Sequence, residues 1–158
     1  MAIPEKVAEL IGRPLGEPLV WEVEGGAIRR FADAVGDSNL LYHDVEYARN
    51  SKYGEIIAPL GFHGWPMKGG LMEMMGSLMG PMMNAGYPVL LDAGIEFESF
   101  VPIRAGDVLS SYSTVTNIAE KTTKSGKGML ILTTEMNFIN QNGDKALVER
   151  SSLICREL

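Results

Sequence analysis

The feature that most constrains the fold is the apolar stretch over residues 67–84, which holds seven of the ten methionines and only two charged residues. At helical spacing its apolar side chains point to nearly every side, so a helix here must be buried against something. We therefore predict a central helix within residues 65–84. Gly80 and Pro81 are expected to end or kink it, because proline interrupts the helical hydrogen-bond ladder.

After this stretch the sequence is typical of β-structure. Four runs are strand-like: residues 91–100, 106–121, 128–140 and 144–158. In the third run Leu130, Leu132 and Phe138 alternate with more polar neighbours, as in a half-buried strand. The Asn142-Gly143 pair is a strong hairpin signal. One buried helix beside a long antiparallel sheet predicts an α+β fold in which the sheet curves around the helix.

The segments before residue 65 alternate between helical and strand patterns. The predicted elements are a helix over residues 3–12, a strand through Leu19, Trp21 and Val23, a helix with Ile28, Phe31, Ala32 and Val35 on one face, a short helix with Asp44 as its N-cap, and a strand over residues 55–62. Gly36 is expected to end the longer helix and to begin a polar loop.

Length and charge narrow the class of protein. With 158 residues the chain fits a single domain over residues 1–158. A net charge of -6 argues against nucleic acid and anionic membrane as partners. The lone Cys155 forms no intrachain disulfide, which suits a reducing, cytoplasmic location, and we interpret it as a small buried hydrophobe. Neither a signal peptide nor a membrane span is expected from the apolar runs.

The polar loop between the two helices holds the candidate chemistry. It contains Asp37, Asn39 and His43, and a carboxylate beside an imidazole can divide acid and base roles near neutral pH. Each residue also has a structural interpretation. Asp37 and Asn39 are ordinary residues after a helix-ending glycine, and His43 is ordinary in an exposed loop. The two histidines and scattered carboxylates lack the spacing of a metal site.

A second candidate feature, Gly61 with His63, stands just before the apolar stretch. Backbone N–H groups at the start of a helix can bind a developing oxyanion, although a histidine between glycines can equally be structural. An acid/base pair and an oxyanion site are together what hydration of an α,β-unsaturated thioester requires. Water loses a proton as it attacks Cβ, Cα gains a proton, and the thioester oxygen carries charge between these events.

Three segments resemble the MaoC-like dehydratase and (R)-specific enoyl-CoA hydratase family, in the fatty-acid-synthase-like half-domain type that forms the N-terminus of longer members. They are FADAVGDSNLLYHDVEYARNSKYGEIIAP, GIEFESFVPIRAGDVL with the turn residues Pro102, Gly106 and Asp107, and the closing hairpins over residues 120–156. The resemblance covers residues 5–156. It implies the hot-dog fold, a long central helix wrapped by a curved antiparallel sheet, paired with a second hot dog.

The resemblance also implies roles for the loop residues. Asp37 falls on the catalytic aspartate of the family and Asn39 on the asparagine that follows it. Leu40 replaces the usual proline, Tyr42 occupies the position of the catalytic histidine, and His43 stands one residue later. Two interpretations follow. Either a one-residue bulge presents His43 to the substrate, or a partner subunit supplies the active loop.

Further positions are implied for the substrate. Gly61 is the displaced glycine of the family's oxyanion motif, with His63 added beside it. Trp65 is a candidate wall of the acyl pocket. Arg49, Lys52, Lys68 and Arg104 are candidates for coenzyme A or carrier-protein phosphates.

The leading interpretation is therefore hydration or dehydration of 2-enoyl or 3-hydroxyacyl thioesters, by the chain alone or as a subunit of a heteromer. The substrate brings coenzyme A or acyl carrier protein, and no further cofactor is expected. The first alternative is a non-catalytic subunit that binds the acyl chain and stabilises a catalytic partner. A thioesterase is ranked last, because Glu73 is the only acid on the predicted central helix and stands far along it.

The predicted architecture also predicts association. One sheet face covers an apolar helix on one side only and leaves sheet edges unpaired, so a homodimer or a heteromer with a second hot-dog subunit is expected. Analytical ultracentrifugation should show a species larger than the monomer at micromolar concentration. A stable monomer, both alone and with a second hot-dog chain, would contradict the prediction.

Overall fold

A computed structural model describes residues 3–62 and 70–157 of the chain. Its five strands form one antiparallel sheet in the order β1-β3-β4-β5-β2. The strands are β1 (Leu19–Glu22), β2 (Val89–Ser99), β3 (Val108–Thr122), β4 (Gly128–Ile139) and β5 (Lys145–Arg156), and the helices are α1 (Glu5–Ala8), α2 (Gly25–Val35), α3 (Leu40–His43), α4 (Val45–Arg49) and α5 (Gly70–Asn84). The predicted α+β class with a long antiparallel sheet is confirmed.

Two hairpins join the three longest paired strands. The β4–β5 turn runs from Asn140 to Asp144, with the Asn140 side chain accepting the N–H groups of Asn142 and Asp144. Gly143 in this turn has φ +84, and Gly126 in the β3–β4 turn has the same value. Only glycine adopts this region without strain, which is why the two turns form at these positions. The hairpin predicted at Asn142-Gly143 is confirmed.

The buried residues form two apolar clusters. The first lies around Trp21 and Phe138, whose rings meet edge to face at 5.9 Å. The second contains Leu78 and Met82 of α5 together with residues of β3, β4 and β5. Met74 packs against both clusters, so α5 reaches from one to the other.

The predicted apolar helix is present as the 15-residue α5, while residues 65–69 of the prediction lie outside the described residues. Leu78 and Met82 are buried, whereas Met72 is 77% exposed and Met83 is 58% exposed. Among the described residues, α5 is therefore buried on one side, whereas burial on nearly all sides was expected. Of the two effects predicted for Gly80 and Pro81, an end of the helix was wrong, because α5 continues through Pro81 to Asn84, and a kink stays a prediction.

The N-terminal half matches the predicted order with two corrections. Helix α2 ends where Gly36 adopts φ +75, and Asp44 caps α4 by accepting the N–H of Tyr47 at 2.9 Å. The first helix is only four residues long, and the chain turns before Gly12 instead of continuing helically. Residues 55–62 are not a strand. They make a single isolated bridge between Ile57 and Arg104, since Pro59 has no N–H for a ladder.

A tight turn before β3 fixes the segment that this bridge touches. The buried Asp107 accepts the backbone N–H of Arg104 at 2.7 Å and the Gln141 side-chain amide at 2.9 Å. The turn in this way holds residues 103–105, which form hydrogen bonds to the backbone of residues 56–58.

No helix in the described ranges is long and apolar enough to cross a membrane. The single-domain organisation over residues 1–158 stays a prediction.

Candidate active site

The end of α2 builds the loop that carries the predicted acid/base pair. Gly36 takes the left-handed conformation, and the N–H of Asp37 donates to the Ala32 carbonyl at 2.9 Å, a pattern that closes a helix C-terminus. The Asp37 carboxylate accepts the N–H of Asn39 at 3.0 Å, and the Asn39 side chain accepts the N–H of Leu41 at 3.1 Å. Asn39 is thus the N-cap of α3, consistent with a loop-ordering role.

His43 folds back onto this loop. Its Nε2 lies 2.7 Å from the carbonyl oxygen of Asp37. Because a carbonyl oxygen only accepts, Nε2 must carry the proton in this hydrogen bond. The other ring nitrogen, Nδ1, lies 3.7 Å from the Asp33 carboxylate. In the neutral imidazole, Nδ1 therefore holds the free lone pair, and it is the atom that can take a proton.

Asp37 and His43 line one polar pocket of about 350 Å³, together with Asp33, Gly36 and Ser38. The two side chains that the sequence predicted as an acid/base pair are thus neighbours, although no direct hydrogen bond joins their side chains among the described contacts. Asp33 was not predicted. Its only sequence signal is its place one helical turn before Asp37, on the last turn of α2.

Tyr42 does not line this pocket and packs, half-buried, against the first apolar cluster. Burial raises the pKa of its phenol above the ordinary value, and the nearby charges of Asp37 and Tyr53 raise it further, while a hydrogen bond with the Asn39 side chain lowers it. At neutral pH the phenol is therefore protonated. It can donate a hydrogen bond but cannot act as a base.

A second pocket of about 380 Å³ is mainly apolar. It is lined by residues 57–61 and 99–103, with Tyr53 and Leu147. Gly61, the predicted oxyanion residue, lies in its wall with φ +93. The apolar pocket shares no lining residue with the polar pocket of Asp37 and His43.

Cationic side chains lie beside the aromatic walls of the apolar pocket. Arg104 donates its Nε–H to the Tyr53 carbonyl at 3.3 Å, and Lys52 Nζ lies 5.0 Å from the centre of the Tyr53 ring. Lys145 Nζ lies 5.8 Å from the centre of the Phe100 ring. Lys52 and Arg104 were predicted as phosphate ligands. Lys145 was missed, because it stands in a hairpin far from the loop motif in sequence.

The other predicted site residues line neither of the two pockets or lie outside the described residues. Arg49 is exposed at the end of α4. His63, Trp65 and Lys68 lie outside the described residues, so their predicted roles stay predictions. Within residues 3–62 and 70–157, no group of three or more His, Cys, Asp or Glu side chains could hold a metal ion.

Comparison with known proteins identifies the class. One chain of the ChsH1-ChsH2 complex from Mycobacterium tuberculosis superimposes with a TM-score of 0.78 at 18% identity, covering 97% of this chain and 95% of that chain. A MaoC-like dehydratase superimposes with a TM-score of 0.71 at 22% identity, covering 96% of this chain and 43% of that chain. The chain thus has the hot-dog fold of MaoC-like dehydratases and (R)-hydratases.

The family follows from the sequence match. Residues 9–149 match the FAS1-like dehydratase domain region, and the chain belongs to this family. A probable enoyl-CoA hydratase alpha subunit from Thermomonospora curvata is 31% identical over 159 residues, which is 91% of this chain and 49% of the relative. The resemblance to MaoC-like dehydratases of the fatty-acid-synthase-like type is confirmed.

The loop geometry predicts a stability effect at Asn39. Replacing Asn39 with alanine removes the N-cap acceptor of α3 and should lower the free energy of unfolding by about 0.5–2 kcal/mol, measured by urea denaturation. Asn39→Asp retains an acceptor oxygen at the same place and is the matched control. Equal losses in the two variants would show that the cap does not hold the loop.

Proposed function

We propose that the chain is one subunit of a hydratase/dehydratase that acts on 2-enoyl and 3-hydroxyacyl thioesters and assembles with a second hot-dog chain. The observation that carries this proposal is the separation of the two pockets. A thioester must place its acyl chain in an apolar pocket and its reacting carbons beside an acid and a base. Within this chain the apolar pocket and the Asp37–His43 pocket share no lining residue, and in the proposed heteromer the second chain completes the site.

The apolar pocket suits the acyl thioester. Its walls are aliphatic and aromatic, and Lys52, Arg104 and Lys145 lie at the Tyr53 and Phe100 walls. Cations beside an apolar cavity favour a ligand with an apolar chain and a phosphorylated head, because Lys and Arg form charge-assisted bonds to phosphate. Coenzyme A and the prosthetic group of acyl carrier protein both have this character. The named relative, an enoyl-CoA hydratase alpha subunit, supports the same substrate class.

The chemistry assigned to the loop is addition of water across the double bond. The Nδ1 atom of His43 takes a proton from water as the water oxygen attacks Cβ. Asp37 orders the loop by accepting the Asn39 N–H, and the Asp37–His43 pair then returns that proton to Cα. The backbone at Gly61 is the candidate donor to the thioester oxygen. The reaction is neither oxidation nor reduction, so we propose that no cofactor is needed beyond the carrier in the substrate. We place the protein in the cytoplasm, where the single cysteine stays reduced.

A second candidate is a subunit that binds the acyl chain while its partner supplies the catalytic pair. One observation favours it. His43 donates to the backbone of its own loop at 2.7 Å, and the neutral phenol of Tyr42 stands where the family resemblance implies the catalytic histidine. In this case His43 stabilises the loop and takes no proton from water.

Loop variants distinguish the two candidates. In a complex with a second hot-dog chain, Asp37→Asn and His43→Ala should each lower kcat for crotonyl-coenzyme A hydration by about 10²–10⁴ if they form the acid/base pair. The measurement is the loss of absorbance of the conjugated thioester, with folding of each variant checked by thermal denaturation.

The control is His43→Gln, which retains a hydrogen-bond donor for the Asp37 carbonyl but cannot act as a base. If His43→Ala and His43→Gln both retain full activity in the complex, this chain is the acyl-binding subunit. If no combination of this chain with a second hot-dog chain hydrates or dehydrates any enoyl thioester, the proposed function is wrong.

The cations at the apolar pocket predict a binding effect. The double variant Lys52→Glu/Lys145→Glu should weaken crotonyl-coenzyme A binding by about tenfold, and the loss should shrink at high salt because exposed charges are screened. Isothermal titration calorimetry measures this without requiring activity. Lys121→Glu/Lys124→Glu, which changes the same charge in the β3–β4 hairpin, is the matched control. Equal affinities for the two double variants would show that Lys52 and Lys145 do not bind the carrier.

A further inference from the structure

A third side chain of the polar pocket, that of Asp33, lies beside the ring nitrogen that the proposed reaction uses. Its Oδ1 lies 3.7 Å from Nδ1 of His43, while Nε2 on the other side of the ring lies 2.7 Å from the Asp37 carbonyl oxygen. Asp33 reaches this place because it stands in the last turn of α2, just before Gly36 ends the helix. Each of the two ring nitrogens therefore has an oxygen acceptor next to it.

The contact between Asp33 and His43 changes from unfavourable to favourable when the ring takes a proton. In the neutral ring with its proton on Nε2, the Nδ1 lone pair lies opposite a negative carboxylate, and two acceptors do not attract each other. Once Nδ1 holds a proton, a cation lies beside an anion. The distance of 3.7 Å is longer than a hydrogen bond, so Asp33 does not occupy Nδ1 and leaves it open to water.

The Asp37 carboxylate is engaged elsewhere in the loop. It accepts the Asn39 N–H at 3.0 Å, and its residue meets the His43 ring through the backbone carbonyl. Among the ion pairs of residues 3–62 and 70–157, the carboxylate paired with His43 is that of Asp33. The side chain of His43 is 21% exposed and that of Asp33 is 67% exposed, so water weakens this attraction but does not abolish it.

We propose that Asp33 is a positioning residue for His43, whose carboxylate stabilises the imidazolium that forms while water adds to the enoyl thioester. As the water oxygen bonds to Cβ, one of its O–H bonds breaks and the proton moves to Nδ1, while the electron pair of the double bond moves toward the thioester oxygen. The ring is neutral again when the proton leaves for Cα. The inference rests on the proposed function for the reaction, whereas the charge contact follows from the pocket itself.

Kinetics of the complex test this role. With a second hot-dog chain, Asp33→Asn should lower kcat for crotonyl-coenzyme A hydration by about two- to fivefold and leave KM unchanged, because the charge contact is exposed and acts on His43 alone. Asp33→Glu retains the carboxylate and should restore the rate. In a His43→Gln background Asp33→Asn should have no further effect, because no imidazolium forms. Glu46→Gln, which removes the same charge from an exposed site on α4, is the matched control.

A measurement without substrate separates this inference from the proposed function. Diethyl pyrocarbonate acylates the unprotonated nitrogen of a histidine ring, and the ring becomes positive as the bond forms. His63→Gln leaves His43 as the only histidine of the chain. At about pH 8, where an ordinary imidazole is neutral, Asp33→Asn should slow acylation of His43 by about two- to fivefold, as followed by mass spectrometry. Asp33→Glu and Glu46→Gln should react at the rate of the parent chain.

Each result bears on a different claim. An unchanged acylation rate in Asp33→Asn would overturn the proposal, and so would an unchanged kcat in an active complex. A loss of rate that Asp33→Glu does not restore would show that Asp33 acts through the fold and not through its charge, which also overturns it. Thermal denaturation checks the folding of every variant. If no assembly hydrates an enoyl thioester, the proposed function is wrong, and the acylation rates still decide whether Asp33 stabilises the charged ring.

Discussion

The packing of α5 against the sheet is the contact on which the rest of the structure depends. Leu78 and Met82 are buried against residues of β3, β4 and β5, and Met74 connects this cluster to the one around Trp21 and Phe138. Removing one such buried side chain typically costs about 2–5 kcal/mol, a large part of the stability of a small domain. Without this helix the three longest strands would expose an apolar face.

The sheet in turn positions the candidate site. The Asp107 turn before β3 holds residues 103–105 against residues 56–58, and Ile57, Ala58 and Ile103 of these segments line the apolar pocket. The loop of Asp37 and His43 is organised by the glycine-ended helix α2 and the Asn39 cap, and the Ile57 N–H of the pocket wall donates to its Leu41 carbonyl at 3.3 Å.

The net charge is -6, but the charged side chains are distributed unevenly over the protein. Cations lie at the aromatic walls of the apolar pocket, and the carboxylates of Asp92, Glu96 and Glu98 lie along β2. In the proposed function, the cations bind the phosphorylated head of the substrate. An acidic total charge therefore excludes neither a phosphorylated substrate nor a specific association.

The sequence by itself determined most of the element types, because helix and strand periods and glycine positions are local properties. Gly36, the Asn142-Gly143 turn and the alternation in β4 predicted their structures correctly. Only the tertiary structure decided features that depend on distant contacts. Helix α5 runs through Pro81 because Met82 beyond it is buried, and residues 55–62 form a pocket wall because they meet the Arg104 turn. The hydrogen-bond acceptor of the His43 ring and the free edge at β2 also depend on the segments that meet in space. No local pattern specifies those contacts.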